Sequence, residues 1–571
     1  MMRLSSLLLA TALVALPRSA SGQAGGSLSQ AHQDSVAKRR TLPPLALPDI
    51  VIFGRSTATV REGSKLFPAG KRTALDREVG APVGEKGGSR TGWGGGRMLA
   101  AQERTGPGRW VRAYLRGGTF GELIAGGDAW FDVQNWKLLA NLVAEGTGGH
   151  LPNSSSFGGR GRVSAIRYLG PTTVLRMGTG YGAGRGEEWG VGAPSAVTPI
   201  PPGVPSGAVR TWFNADYSME LEGMIRRGVS VHGGVGGRKT GFNDDVRGSD
   251  LQPRSQGGWI EAGLEWLTGR TIMDLTARNE GDRVSGPQPT QRANLSSVRL
   301  TVRSLIGETS NILAGAVWYQ VDAGLGLVTR IWPLAEFTSQ YSERFSMYVR
   351  YRPQIDYMTL GAAREQNPFV ANSYSVVPRE ERFHFCIGLR YIVALHLTME
   401  FQVARRQFDR LPLWRLVTES DPWSDGLFKL DGVGPVGVNS TRLSLEGTPG
   451  DKLALNGEMV LRDPSGGGLA ELPHVPRLQF SGGIDGRGPW GLELGVRVTH
   501  LGERFGAGEE VSLASRRMSP ATDLGIRISR GFGLSLTAWL ELRNVLDEEI
   551  TLWEGYPLPG RTSAVGLSIR F

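Results

Sequence analysis

Hydrophobic and polar residues alternate along most of this chain with a period of two. Val111, Ala113 and Leu115 alternate with Arg112, Tyr114 and Arg116, and Phe213, Ala215, Tyr217, Met219 and Leu221 with Asn214, Asp216, Ser218 and Glu220. The same rhythm runs through Met273–Arg278, Val298–Arg303, Phe345–Arg352, Phe383–Tyr391, Leu395–Val403 and Leu492–Thr499. Successive side chains of a strand point to opposite faces, so each segment predicts a strand with one apolar and one polar face. The last segment ends the chain on its apolar face: Val565, Leu567, Ile569 and Phe571 alternate with Ala564, Gly566, Ser568 and Arg570. An apolar strand left at an open edge invites aggregation in water. A barrel closed in a bilayer pairs that strand with the first one and turns its apolar face to lipid.

The connections alternate too. Short turns are expected at 133–136, 170–172, 223–228, 268–271, 305–309, 393–394, 448–452, 486–491 and 529–533. Long polar stretches are expected at 145–159, 182–209, 237–256, 279–294, 357–381, 405–440, 462–476, 502–523 and 544–561. Outer-membrane barrels have short periplasmic turns and long extracellular loops. The fold class is therefore all-β: a transmembrane antiparallel barrel over residues 109–571, with about 22 strands and a range of 18–22. Trp130, Trp136, Trp259, Trp266, Tyr351, Tyr391 and Trp490 are expected in its interfacial aromatic girdles.

Composition agrees with that class. Beyond the N-terminus no run of 18 apolar residues occurs, so helical membrane spans are not expected. Arg3, the apolar run Leu4–Leu16 and small residues at Ala20-Ser21-Gly22 or Gly22-Gln23-Ala24 read as an export signal over residues 1–24. Residues 25–108 are expected to be a largely irregular periplasmic or lumenal segment. An export signal ahead of a barrel pattern points to the outer membrane of a Gram-negative-type bacterium as the expected location. The single cysteine, Cys386, leaves no intrachain disulfide and no multi-cysteine metal site. The formal charge is +10, but the arginines are spread singly along the strands, which speaks against a nucleic-acid partner.

Candidate chemistry lies on the polar faces. Arg112, Arg116, Arg176, Arg278, Arg299, Arg303, Arg350, Arg390 and Arg497, with Glu261, Glu400 and Glu493, are expected to line the lumen. Opposite charges there can pair across strands and hold register, or the arginines can bias the lumen toward anions. His384 and His396 are expected on the polar faces of adjacent strands, with Cys386 near His384. No catalytic or phosphate-binding motif accompanies them, so no enzyme activity and no cofactor are expected. The carboxylates of 244–250 read as solvated loop charge.

The chain's final residues resemble the C-terminal end of TonB-dependent outer-membrane receptors. The matching segments are Asn544-Val545-Leu546-Asp547, Gly555-Tyr556-Pro557-Leu558-Pro559-Gly560-Arg561 and the terminal Phe571. The resemblance spans roughly 109–571 and implies a 22-stranded barrel. Leu47–Arg55 is similar to the short box by which such receptors engage TonB through strand addition, which would make Asp49, Ile50, Val51, Ile52 and Phe53 contact residues. Ahead of the barrel the chain departs from the family: the glycine-rich segments of the family's plug do not occur between Arg55 and Arg109. Val565, Leu567, Ile569 and Phe571 are expected to form a C-terminal assembly signal. Expected partners are outer-membrane lipid, the barrel-assembly machinery, TonB and a solute. Three roles stay open: a solute transporter or receptor, a passive pore with an arginine-rich lumen, and a structural or assembly protein of the envelope.

Overall fold

The computed structural model describes residues 109–571, apart from 151–153, 171, 188–208, 227, 245–251, 287–289, 308, 324–325, 372–373, 395, 418–426, 451, 466–470, 507–516, 534 and 555. The export signal, the segment 25–108 and Asp49–Phe53 therefore lie outside the described residues, as does most of 244–250. Twenty-two strands form the wall. The first half is β1 Arg109–Gly118, β2 Leu123–Val133, β3 Trp136–Thr147, β4 Ser156–Tyr168, β5 Thr173–Glu187, β6 Val209–Arg226, β7 Val229–Asp244, β8 Arg254–Thr268, β9 Thr271–Ser285, β10 Gln291–Ile306 and β11 Ser310–Asp322. The second half is β12 Leu327–Gln340, β13 Phe345–Tyr351, β14 Pro378–Ala394, β15 Leu397–Leu416, β16 Val436–Gly450, β17 Leu453–Ser465, β18 Leu478–Arg487, β19 Leu492–Leu501, β20 Ala521–Phe532, β21 Leu536–Arg543 and β22 Thr562–Arg570.

Each strand pairs antiparallel with its sequence neighbours, and β22 pairs with β1 from Arg112↔Arg570 to Gly118↔Ala564. The seam is tightened at its end, where Phe571 N donates to Val111 O at 2.8 Å and Val111 N to Phe571 O at 3.2 Å. Closure leaves no edge strand in the wall, so every wall strand has a ladder partner on both sides.

The two faces separate as the alternation requires. Leu115, Leu142, Tyr181, Tyr217, Ile260, Leu300, Ile331 and Leu567 are exposed on the outer face. Arg116, Asp128, Glu220, Thr276, Gln402 and Glu541 are buried on the inner one. An apolar band on this scale has no counterpart on a monomer that lives in water. Among the described residues no helix is long and apolar enough to cross a membrane; the strands do the crossing.

All ten even-to-odd connections are short. In the β8–β9 turn, Gly269 adopts φ 60, the left-handed geometry that a tight hairpin demands. The turn at 341–344 belongs to this end as well, and the sequence pattern had not marked it. The opposite end carries the long connections, with three exceptions, 119–122, 286–290 and 323–326, so loop length alone does not mark that end; the long stretch expected at 279–294 is mostly strand.

Candidate functional site: the barrel interior and its cap

The inner wall is a lattice of paired charges. Arg112 is bonded to Asp128, which also accepts from Asn141 Nδ2 at 2.6 Å. Arg116 meets Glu122 at 3.0 Å, Arg176 meets Glu222 at 2.7 Å, and Arg497 meets Asp485 at 2.9 Å. Arg278 reaches Glu280 at 2.7 Å and Glu261 at 3.3 Å, while its guanidinium lies 5.1 Å from the centre of the Trp259 ring. Arg299 is 3.9 Å from Asp274, and Arg303 shares their face on β10. Arg350 stands 3.5 Å from Glu336 and 4.0 Å from the centre of the Tyr348 ring. Tyr348 Oη donates to Glu400 at 2.7 Å, and Arg390 is the register partner of Glu400. Glu493 accepts from Ser529 at 3.2 Å and faces Arg487 at 3.4 Å. Most pairs bridge adjacent strands, the arrangement that pins register in a sheet.

Three residues lie elsewhere than the pattern predicts, and one of them, Trp130, shares the inner face of β2 with Asp128 rather than standing in an outer girdle. Trp259 is buried on the inner wall rather than in an outer girdle, because Arg278 and Glu261 share its face and leave its ring as their platform. Trp266, Tyr391 and Trp490 do lie exposed on the outside. His396 occupies the β14–β15 turn at φ 65 and is not part of the wall. His384 is on the wall, with Nδ1 3.3 Å from Glu381, while Cys386 is buried against Tyr348 and Ala404.

At the long-loop end two connections fold inward and pack against the wall. The β13–β14 connection begins with a short strand, Gln354–Tyr357, that pairs with β14. Thr359 then starts helix α1, Leu360–Gln366, its side chain accepting from Ala362 N at 3.3 Å, a serviceable N-cap. Leu360, Ala363, Val370 and Val376 bury themselves against Phe242, Val284, Leu295 and Val321, inward residues at the upper ends of β7, β9, β10 and β11. The β21–β22 connection folds inward from the far side, where Ile550, Leu552, Trp553 and Tyr556 join the same cluster. The two halves meet where Phe369 stacks on Tyr556 with ring centres 3.5 Å apart.

Polar anchors fix the cap to the wall. Arg210 Nη1 donates to Val370 O at 2.8 Å, Trp414 Nε1 to Gln366 at 3.1 Å, and Val376 N to Gln291 at 3.1 Å. Arg364 lies 3.6 Å over the Trp212 ring, and burial together with the charge of Arg210 pulls its guanidinium down to about 9. His150 Nε2 is 3.0 Å from Pro557 O, so the β3–β4 connection holds the other half. Both stretches had read as polar loops. Their apolar residues are spaced for a two-turn helix and short ribbons, too brief to raise a periodic signal.

The receptor-like C-terminal segment has a physical role here. Asn544 adopts φ 45, a left-handed position that asparagine tolerates. Its Oδ1 accepts from Glu548 N at 3.0 Å, and its Nδ2 donates to Glu548 O at 2.7 Å and Pro559 O at 3.3 Å. Asp547 accepts from Arg561 N at 2.7 Å, and Arg561 Nε donates to Val545 O at 3.2 Å. The segment is a latch that turns the loop back into the mouth and returns the chain to β22. On β22, Val565, Leu567, Ile569 and Phe571 all stand exposed on the outer face. Among the described residues, no group of three or more His, Cys, Asp or Glu is placed to hold a metal ion.

No family model matches the sequence, and no curated protein matches it. Solved structures do match. The chain is similar to the FrpB iron transporter of Neisseria meningitidis (F5-1 variant), with a TM-score of 0.65 at 11% identity, over 83% of this chain and 84% of that one. It is similar to a mutant of the ferric enterobactin receptor PfeA of Pseudomonas aeruginosa, with a TM-score of 0.60 at 12% identity, over 82% and 81%. It is also similar to the copper transporter OprC, with a TM-score of 0.60 at 11% identity, over 81% and 80%. At such identities the likeness speaks for architecture. By fold, the chain is a closed 22-stranded barrel of the kind found in TonB-dependent receptors.

Proposed function

We propose that this protein sits in the outer membrane with its long connections at the cell surface, and that it takes up or binds a solute there. The cap is the observation that carries this. A passive pore gains little from connections folded into its mouth around a buried apolar cluster, whereas a receptor or gated transporter uses such a cap to restrict passage. The charge lattice points the same way, because arginines neutralised by carboxylates on the same wall offer little net field to passing anions.

Planar-bilayer conductance tests it. The full chain should show small or no steady currents, and Phe369→Ala with Tyr556→Ala should raise them by parting the two halves of the cap. Large steady currents in the unaltered chain favour the passive pore. Silence in both proteins, and also after deletion of residues 24–108, favours a structural role in the envelope. Energised uptake through TonB is part of the proposal and rests on Asp49–Phe53. Changing Ile50–Phe53 to glycine should abolish capture of a TonB periplasmic domain, and unchanged capture removes TonB from the scheme.

A further inference from the structure

Three of the buried arginines in this barrel have carboxylates: Arg116 has Glu122, Arg379 has Asp356, and Arg406 has Glu381. Arg504 is different. It has no exposed surface, yet among the described residues its one polar contact is a marginal 3.5 Å approach of Nη2 to Ser519 O. Nε and Nη1 have no acceptor, and the neighbouring Glu503 is engaged by Arg517. Burial alone, with no carboxylate contributing, pulls the guanidinium down to about 10.

Two more unanswered groups stand beside it. His474 is 1% exposed and both its ring nitrogens lack partners. Its backbone N–H donates to the carbonyl of Phe505, the residue after Arg504, at 2.8 Å. Its ring lies 5.1 Å from that of Trp553, whose indole N–H is also buried and unanswered. Phe428 packs against both rings. Three connections, β17–β18, β19–β20 and β21–β22, thus bring Arg504, His474 and Trp553 to the flank of the cap, where the unanswered nitrogens of all three have no hydrogen-bond partner among the described residues.

We infer that Arg504, His474 and Trp553 form an oxyanion site, which takes a soluble carboxylate- or phosphate-bearing molecule at the mouth of the barrel. An unpaired buried charge is among the costliest features a fold can keep, and an unmet buried donor adds to it. An oxyanion answers both: it supplies the missing charge and several acceptors, in a setting where low polarity makes the pairing strong. The aromatic walls exclude water from the pair. The site does not depend on the barrel conducting anything, so it stands or falls separately from the uptake role.

The test uses the full chain in lipid-free, non-ionic micelles. Inorganic phosphate and malonate are titrated calorimetrically, with chloride at matched ionic strength as the control. Saturable binding of at least one probe is expected, weakened at least tenfold by Arg504→Met and severalfold by Trp553→Phe. Arg517→Met on the same ribbon should leave it unchanged. In anion-free buffer, Arg504→Met should be at least as heat-stable as the unaltered chain, because it removes an uncompensated charge. If the unaltered chain responds only as it does to chloride, or if Arg504→Met binds equally well or is markedly less stable, the proposal is overturned. Should Arg504→Met not fold, unchanged affinity in Trp553→Phe overturns it alone.

Discussion

Glu381 has no exposed surface and organises three neighbours. It accepts from Arg406 Nε at 2.6 Å and Nη2 at 2.9 Å, and from Gln354 at 3.1 Å, with His384 at 3.3 Å. A bidentate, fully desolvated pair of this kind makes the partner dependent on it. His474 shows the opposite situation, a buried group held neutral. Burial, and then the charge of Arg504, pull its pKa down to about 3. An unfolded histidine titrates near 6.5, so between about 6.5 and 3 the unfolded chain binds more protons than the folded one. Stability from this group is full above that window and is lost as pH falls through it. At pH 5 the loss is about 2 kcal/mol. Thermal unfolding of the anion-free protein at pH 7.5 and 5.0 should show this loss, and His474→Phe should remove most of the difference. An equal pH dependence in the variant places its origin in other groups.

At the scale of elements, the latch of β21–β22 is what most separates this molecule from a plain barrel. Asn544 is buried and holds three hydrogen bonds in a left-handed conformation. Asn544→Ala forfeits the bonds and leaves a strained backbone, a loss of roughly 2–3 kcal/mol. The expected result is faster protease nicking within 544–561 while the strands stay folded. Unchanged cleavage means that the latch does not hold the loop. The strands were legible in advance because period two survives wherever one face meets lipid and the other meets charge, as in Val298–Arg303 between β9 and β11. The lattice residues were legible as a face, but their partners were not, since pairing depends on register across strands distant in sequence. The cap was hidden for a different reason. Leu360, Phe369, Val370 and Trp553 look like stray apolar residues in loops, and what unites them is a cluster assembled from opposite sides of the barrel.

At the scale of the whole molecule, the chain depends on which face of each strand looks outward, and β22 allows a test with two adjacent residues. Leu567 lies near the centre of that strand and is 52% exposed, on the outer face with Val565 and Ile569. Ser568 points the other way and sits opposite Tyr114 on β1 and Thr537 on β21. An arginine facing the middle of a bilayer costs roughly 2–4 kcal/mol, whereas the polar interior of a barrel accepts one far more readily. Leu567→Arg should therefore lower unfolding stability in lipid vesicles by about that amount, and Ser568→Arg by much less. Both substitutions leave the backbone pairing of the seam intact, so a loss of closure cannot account for the contrast. In detergent, whose micelle adapts to a buried charge, the gap between the two should narrow. Equal losses at the two positions in vesicles would mean that the exposed apolar band does not face lipid, and the membrane assignment of the barrel would fall with it.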